Sequence, residues 1–164
     1  MKTSMIALFL ALSGLAGCAA YPAAETMSVQ TIQPGPTLEH ASNYSFDDTL
    51  SRLESAINAR GLTLFTRIDH AKGARSVGMD LQPATLLIFG NPKAGTPLIQ
   101  TDIRMGLDLP LKMLVYQSGE QVFVTYRPIA SLAADYSIAP EMMPLPKIAE
   151  ALSAIARETT GKSN

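Results

Sequence analysis

Residues 84–90, Ala-Thr-Leu-Leu-Ile-Phe-Gly, put large apolar side chains at consecutive positions, hence on both faces of any strand they form. Such a strand belongs inside a sheet, with neighbours on both edges. The run closes on Phe89-Gly90-Asn91-Pro92, where proline forbids further ladder bonds and the chain must leave the sheet. Gly90 is expected to take unusual backbone angles there, and Asn91 the left-handed region. Gly95-Thr96-Pro97 then reads as a helix start, with Thr96 as cap and Pro97 at the first helical position. The amides from Gly95 to Leu98 would be free to hold an anion. The same residues also make a plain corner without a ligand, and both readings stand on the sequence.

Around this strand the pattern is regular. An extended piece near Leu38 to Asn43 precedes Ser45, an N-cap with Asp48 three residues on; Leu50, Leu53 and Ile57 then recur on one helical face before Gly61. Leu62, Leu64 and Ile68 fall on one side of a strand, and Asp69 caps a short helix ended by Gly78. The helix from Thr96 carries Leu98, Ile99 and Ile103 and ends at Gly106. Two apolar runs flank Ser118-Gly119-Glu120 as a hairpin. A short helix over Ser131 to Tyr136 and a last one from Pro146 to Thr159, with Ile148, Leu152 and Ile155 inward, complete the chain. This order predicts a single α+β domain over 37–160: a small mixed or antiparallel sheet with helices on one face, a hairpin, then helices. Residues 161–164 are left as a disordered tail.

The N-terminal region carries an address. Lys2, an apolar stretch from Met5 to Leu15, and small residues before Cys18 have the layout of an export signal. The stretch falls short of the roughly 20 residues that span a bilayer as a helix. Leu15-Ala16-Gly17-Cys18 resembles the lipobox of bacterial lipoproteins. The resemblance implies that residues 1–17 are removed and that Cys18 becomes a lipidated amino terminus; an ordinary signal peptide is the alternative. Cys18 is the only cysteine, so no disulfide supports the fold. Ala19 after the cysteine resembles the sorting pattern for the periplasmic face of the outer membrane. Residues 18–36, with Pro22, Pro34 and Pro36, read as a flexible tether, with a short edge strand offered at Thr26 to Ile32.

Composition removes several classes of function. Thirteen basic and 14 acidic residues give −1; without Lys2 the balance is 12 against 14, or −2. Neither sum supports a basic stripe for nucleic acid, and 6% aromatics with no Trp leaves little for base stacking. No Gly-x-Ser-x-Gly elbow occurs, and the one thiol is assigned to acylation, so a serine or cysteine hydrolase lacks its nucleophile. His40 and His70 are the only histidines, and Asp69, Asp102 and Asp108 offer no ligand spacing. The eight methionines are dispersed apart from Met142-Met143 and read as core filling. No metal and no cofactor is expected.

From about Ser42 to Pro128 the chain resembles the domain-of-unknown-function family numbered 302. The marks that carry this are Asp69-His70-Ala71, Phe89-Gly90-Asn91-Pro92, Gly95-Thr96-Pro97-Leu98 and Leu107-Asp108-Leu109-Pro110-Leu111-Lys112. The resemblance implies a small α+β domain that tends to self-associate, hence a homodimer, and brings no agreed activity. The residues themselves leave two classes of function. In the first, a lipid-anchored module binds a small ligand or an envelope protein, with Gly90, Asn91, Gly95, Thr96 and Asp108 as candidate contacts. In the second, an envelope enzyme uses His70 as general acid or base, beside Asp69, with Lys112 or Tyr126. Against the second stands a plain structural role for the pair, with Asp69 capping a helix and His70 bonding backbone at its first turn.

Overall fold

The computed structural model describes residues 36–162. The signal, Cys18, the tether up to residue 35 with its strand at Thr26 to Ile32, and residues 163–164 lie outside the described residues.

Five strands form one sheet: β1 (Leu38–Ala41), β2 (Thr63–Asp69), β3 (Ala84–Gly90), β4 (Leu111–Ser118) and β5 (Gln121–Tyr126). Their order is β1-β5-β4-β3-β2, and every pairing is antiparallel. The apolar run of β3 thus lies between β2 and β4, as its composition requires. Leu87 and Phe89 share one face with Met113, Val115, Val122 and Val124, and all six are buried. Two helices cover that face, α1 (Phe46–Ala59) and α5 (Leu145–Thr160), placing Leu53, Ile57, Leu152 and Ile155 in the same core. The other face bears Leu86, Ile88, Leu114 and Phe123, which remain half-buried. The helices therefore lie on one face of an α+β domain.

The caps follow the sequence at two helices. The Ser45 hydroxyl accepts from the Asp48 amide and donates to its carboxylate at the start of α1. Asp69 accepts from the Lys72 amide at 2.8 Å to begin α2 (His70–Ser76). A further short helix, α4 (Ile129–Asp135), follows β5. Gly161, at φ +70°, caps α5, and the Lys162 amide returns to the Arg157 carbonyl. The first two residues expected in the tail therefore close a helix.

Three local expectations fail, each for an identifiable reason. A bulge between Leu64 and Thr66 shifts the register of β2, so Leu64 stays beside buried Phe89 while Ile68 turns to the opposite face. The third helix, α3 (Pro92–Thr101), starts four residues before Thr96: Asn91 is the cap, Pro92 opens the helix and Pro97 lies inside it. Asn91 accordingly sits in extended geometry (φ −133°, ψ 116°) and Gly90 has no positive φ, so neither supplies the left-handed turn. Finally, α3 stops at Thr101. A separate 3₁₀ turn at Ile103–Leu107 leaves Ile103 largely in solvent.

Candidate functional site

The corner at the end of β3 roofs a cavity of about 230 Å³. Gly90, Asn91 and Pro92 supply one side, Gly95, Thr96 and Ile99 of α3 a second, and Leu109 to Leu111 a third. Ile148, Ala151, Leu152 and Ile155 of α5 close it from the opposite layer, and Phe65 stands at its edge. The cavity arises from residue size: Gly90, Gly95 and Ala151 face one another's elements with little or no side chain. A Cβ added at Gly95 would first meet Leu109 Cδ1 at 3.7 Å, an ordinary contact, so the site has room there. No charged side chain lines it. Its volume exceeds the roughly 150 Å³ of an apolar cavity that admits benzene. It falls below the roughly 300–1,000 Å³ typical of drug-sized ligand sites.

The expected anion cradle at Gly95 to Leu98 is not formed. Because the helix begins at Pro92, the Lys93 amide donates to Asn91 Oδ1 at 2.9 Å, and the Ala94 and Gly95 amides donate to the Asn91 carbonyl. Proline has no amide to offer, and the later amides lie inside the helix. Gly90, Asn91, Gly95 and Thr96 thus share one site, but they offer it surface and space in place of donors.

A second cavity, about 180 Å³, lies where β4 and β5 part. Their ladder ends at Leu114 and Thr125, so Lys112 and Arg127 flank an open fork. Leu132 and Leu152 line its apolar part. The Lys112 ammonium is half-buried and donates to the Asp108 and Pro110 carbonyls at 2.8 and 3.1 Å. Burial holds it below its ordinary value, and the nearby Asp108 carboxylate opposes that shift. Asp108 is occupied by the Tyr136 hydroxyl, which donates at 2.6 Å, and by a longer contact from Arg127 at 3.5 Å. This bond raises the Tyr136 phenol. Arg127 also donates to Asp135 at 2.6 Å, while its buried Nε has no partner. Tyr126 is buried against the same fork and stacks on His40 with ring centroids 6.0 Å apart.

The structure therefore divides the candidate residues into three places. Gly90, Asn91, Gly95 and Thr96 line the corner cavity; Asp108, Lys112 and Tyr126 line the fork. Asp69 and His70 line neither. His70 is exposed at the end of β2 that pairs with Thr85, whereas Lys112 pairs with Ile88 towards the other end of β3. The proposed acid–base group of His70, Lys112 and Tyr126 is not assembled. Among the described residues no group of three or more His, Cys, Asp or Glu side chains could hold a metal ion. Sequence reasoning missed Phe65, Ala151 and Arg127. Ala151 lies one residue from the inward Leu152, and small size on such a face was the available signal.

The family model described as "Domain of unknown function DUF302" matches residues 38–158. The crystal structure of an uncharacterized conserved DUF302 protein from Bacillus stearothermophilus superposes with a TM-score of 0.68 at 18% identity, covering 75% of this chain and 97% of that one. That likeness speaks to the fold alone. Curated relatives include the fluoride-specific ion channel FluC 1 of Brucella suis biovar 1 (strain 1330), 39% identical over 98 residues. The FluC 1 of Brucella abortus biovar 1 (strain 9-941) matches at the same identity and length. The match takes in 59% of this chain but only 39% and 36% of those relatives, so the chain spans well under half their length.

Proposed function

Since the chain belongs to the DUF302 family, which has a fold but no assigned reaction, we propose that its domain is a non-catalytic module binding an apolar ligand in the corner cavity. The observation that carries this is the cavity itself: uncharged walls, two glycines where side chains would fill it, and a floor of core residues Phe89, Leu152 and Ile155. A ligand entering there leaves water for apolar surface, which is favourable at about 25 cal/mol per Å². The separation of His70 from Lys112 and Tyr126 favours binding over acid–base catalysis.

In the same reading the domain works at the periplasmic face of the outer membrane, tethered through lipid on Cys18. The sequence Leu15-Ala16-Gly17-Cys18 supports this. The relatives named as ion channels, which contain a similar region within longer chains, are in keeping with a place beside a membrane.

The test is a titration of the tethered domain with octanol, followed by calorimetry, in wild type and Gly95→Leu. Leucine favours a helix over glycine and its side chain extends into the cavity, so the variant should fold with an equal or higher Tm. It should lose octanol binding. A folded Gly95→Leu protein that binds octanol as wild type does would remove the cavity from the account.

A further inference from the structure

The fork opens on the other face of the sheet, where Lys112 lies with Ile88 and Leu114, and reaches between β4 and β5 to Leu111 and Leu152, two walls it shares with the apolar cavity beneath the corner. One space has no charge at its walls; the adjoining one has two cations, Lys112 and Arg127, and one carboxylate, Asp108. Arg127 is paired with Asp135 and, more loosely, with Asp108. Lys112 differs: its ammonium is half-buried and touches only two carbonyl oxygens, with no carboxylate partner among the described residues. An ammonium has three donors, so one remains for a further acceptor.

We infer that the ligand of this domain is a single-chain amphiphile with a carboxylate head, the chain lying in the corner cavity and the head at Lys112 in the fork. This rests on the reading of the corner cavity as a ligand site. A monoanion suits the fork better than a phosphate dianion, because Asp108 stands next to Lys112 and repels a second negative charge. Arg127 lines the same fork as a second cation, and its buried Nε has no partner. A charge-assisted bond in a partly desolvated site is stronger than its counterpart to a neutral hydroxyl. The head group thereby adds affinity that the chain alone does not supply.

Octanoate and octanol have the same chain and differ at the head, so the pair separates the two parts of the site. At neutral pH wild type should bind octanoate about tenfold more tightly than octanol, the scale of one charge-assisted bond. Lys112→Met keeps the stem and removes the charge; it should erase that preference and leave octanol affinity unchanged. Gly95→Leu should abolish both. If octanol binds but octanoate binds no tighter, or if Lys112→Met keeps the preference, the head-group inference is overturned while the cavity reading stands. If neither compound binds wild type, the cavity reading fails and the inference falls with it.

Discussion

Helix α5 is packed differently along its two halves. Its C-terminal half meets α1 and is bound there by side chains and backbone together. Arg60 reaches Glu158 with two bonds of 2.8 and 2.6 Å, and Arg52 donates to the Thr159 and Glu158 carbonyls at 3.2 and 2.7 Å. Leu53, Ile57 and Ala156 are fully or almost fully buried between the two helices and the sheet, while Ile155 stands at the boundary, buried but flooring the cavity. Its N-terminal half faces α3 and the Phe89–Pro92 corner, where Ile148 and Ala151 are only half-buried and about 230 Å³ stays open. The same helix therefore anchors the fold at one end and leaves room at the other. Native interiors are close-packed, and a void on this scale forgoes contacts along its whole lining.

The sharpest way to break this contrast is to truncate both halves. Leu53→Ala, at the tight junction, should cost about 2–5 kcal/mol. Ile148→Ala, at the open one, should cost less than about 2 kcal/mol, because the side chain is half-exposed and already borders a cavity. Equal losses in denaturant midpoint would mean that the two halves are packed alike.

Gly161 tests the tight end again, through the backbone. Its φ of +70° is left-handed, and an added Cβ would lie 2.7 Å from the Tyr44 ring. Tyr44 is itself held beneath Arg52, 4.1 Å from the guanidinium carbon, so yielding would disturb the contacts of Arg52. Gly161→Ala should lower stability by about 1–3 kcal/mol. Gly95→Ala, where φ is not positive and the nearest atom lies at 3.7 Å, should leave it unchanged or raise it. If both alanine variants unfold at the same midpoint, the difference in room between the two ends is wrong.

The smallest effect concerns His40 on β1. Burial lowers its pKa from the ordinary 6.5, with Arg157 and Lys162 repelling the proton as well, and its Nε2 has no partner. The folded state thus favours neutral imidazole. The stability it allows is intact above pH 6.5 and declines as pH falls below that value towards the lowered one. His40→Phe keeps a ring to stack on Tyr126 and should show a smaller loss of Tm between pH 8 and pH 5 than wild type. Parallel Tm curves for the two proteins would show that His40 does not contribute to the acid side.

Much of the fold was legible because the responsible residues act locally. Ser45 and Asp69 cap where their spacing said they would, and the double-sided run of β3 required a central position. The start of α3 was misread because two proline-led starts, Asn91-Pro92 and Thr96-Pro97, compete within seven residues. The first wins by capping through Asn91, and Pro97 is carried inside the helix. The side on which Ile68 falls depended on a bulge, which alternation of apolar residues does not reveal. At the corner, Gly90, Asn91, Gly95 and Thr96 line one cavity because they are close in sequence, whereas Asp108, grouped with them on the sequence, lines the fork. Their pairing with Ala151 and Leu152 needed the long-range packing of α5, and the parting of β4 from β5 left no local sign.

Backbone amide shifts of the domain during an octanol titration read both halves of α5 at once. If the open half takes the ligand while the tight half holds the fold, saturable changes should cluster at Gly95, Thr96, Ile148 and Ala151, with Leu53, Ile57 and Thr159 unmoved. Saturation with shifts centred on α1 and the C-terminal end of α5, or no saturable shift at the corner, would rule out the corner as the ligand site.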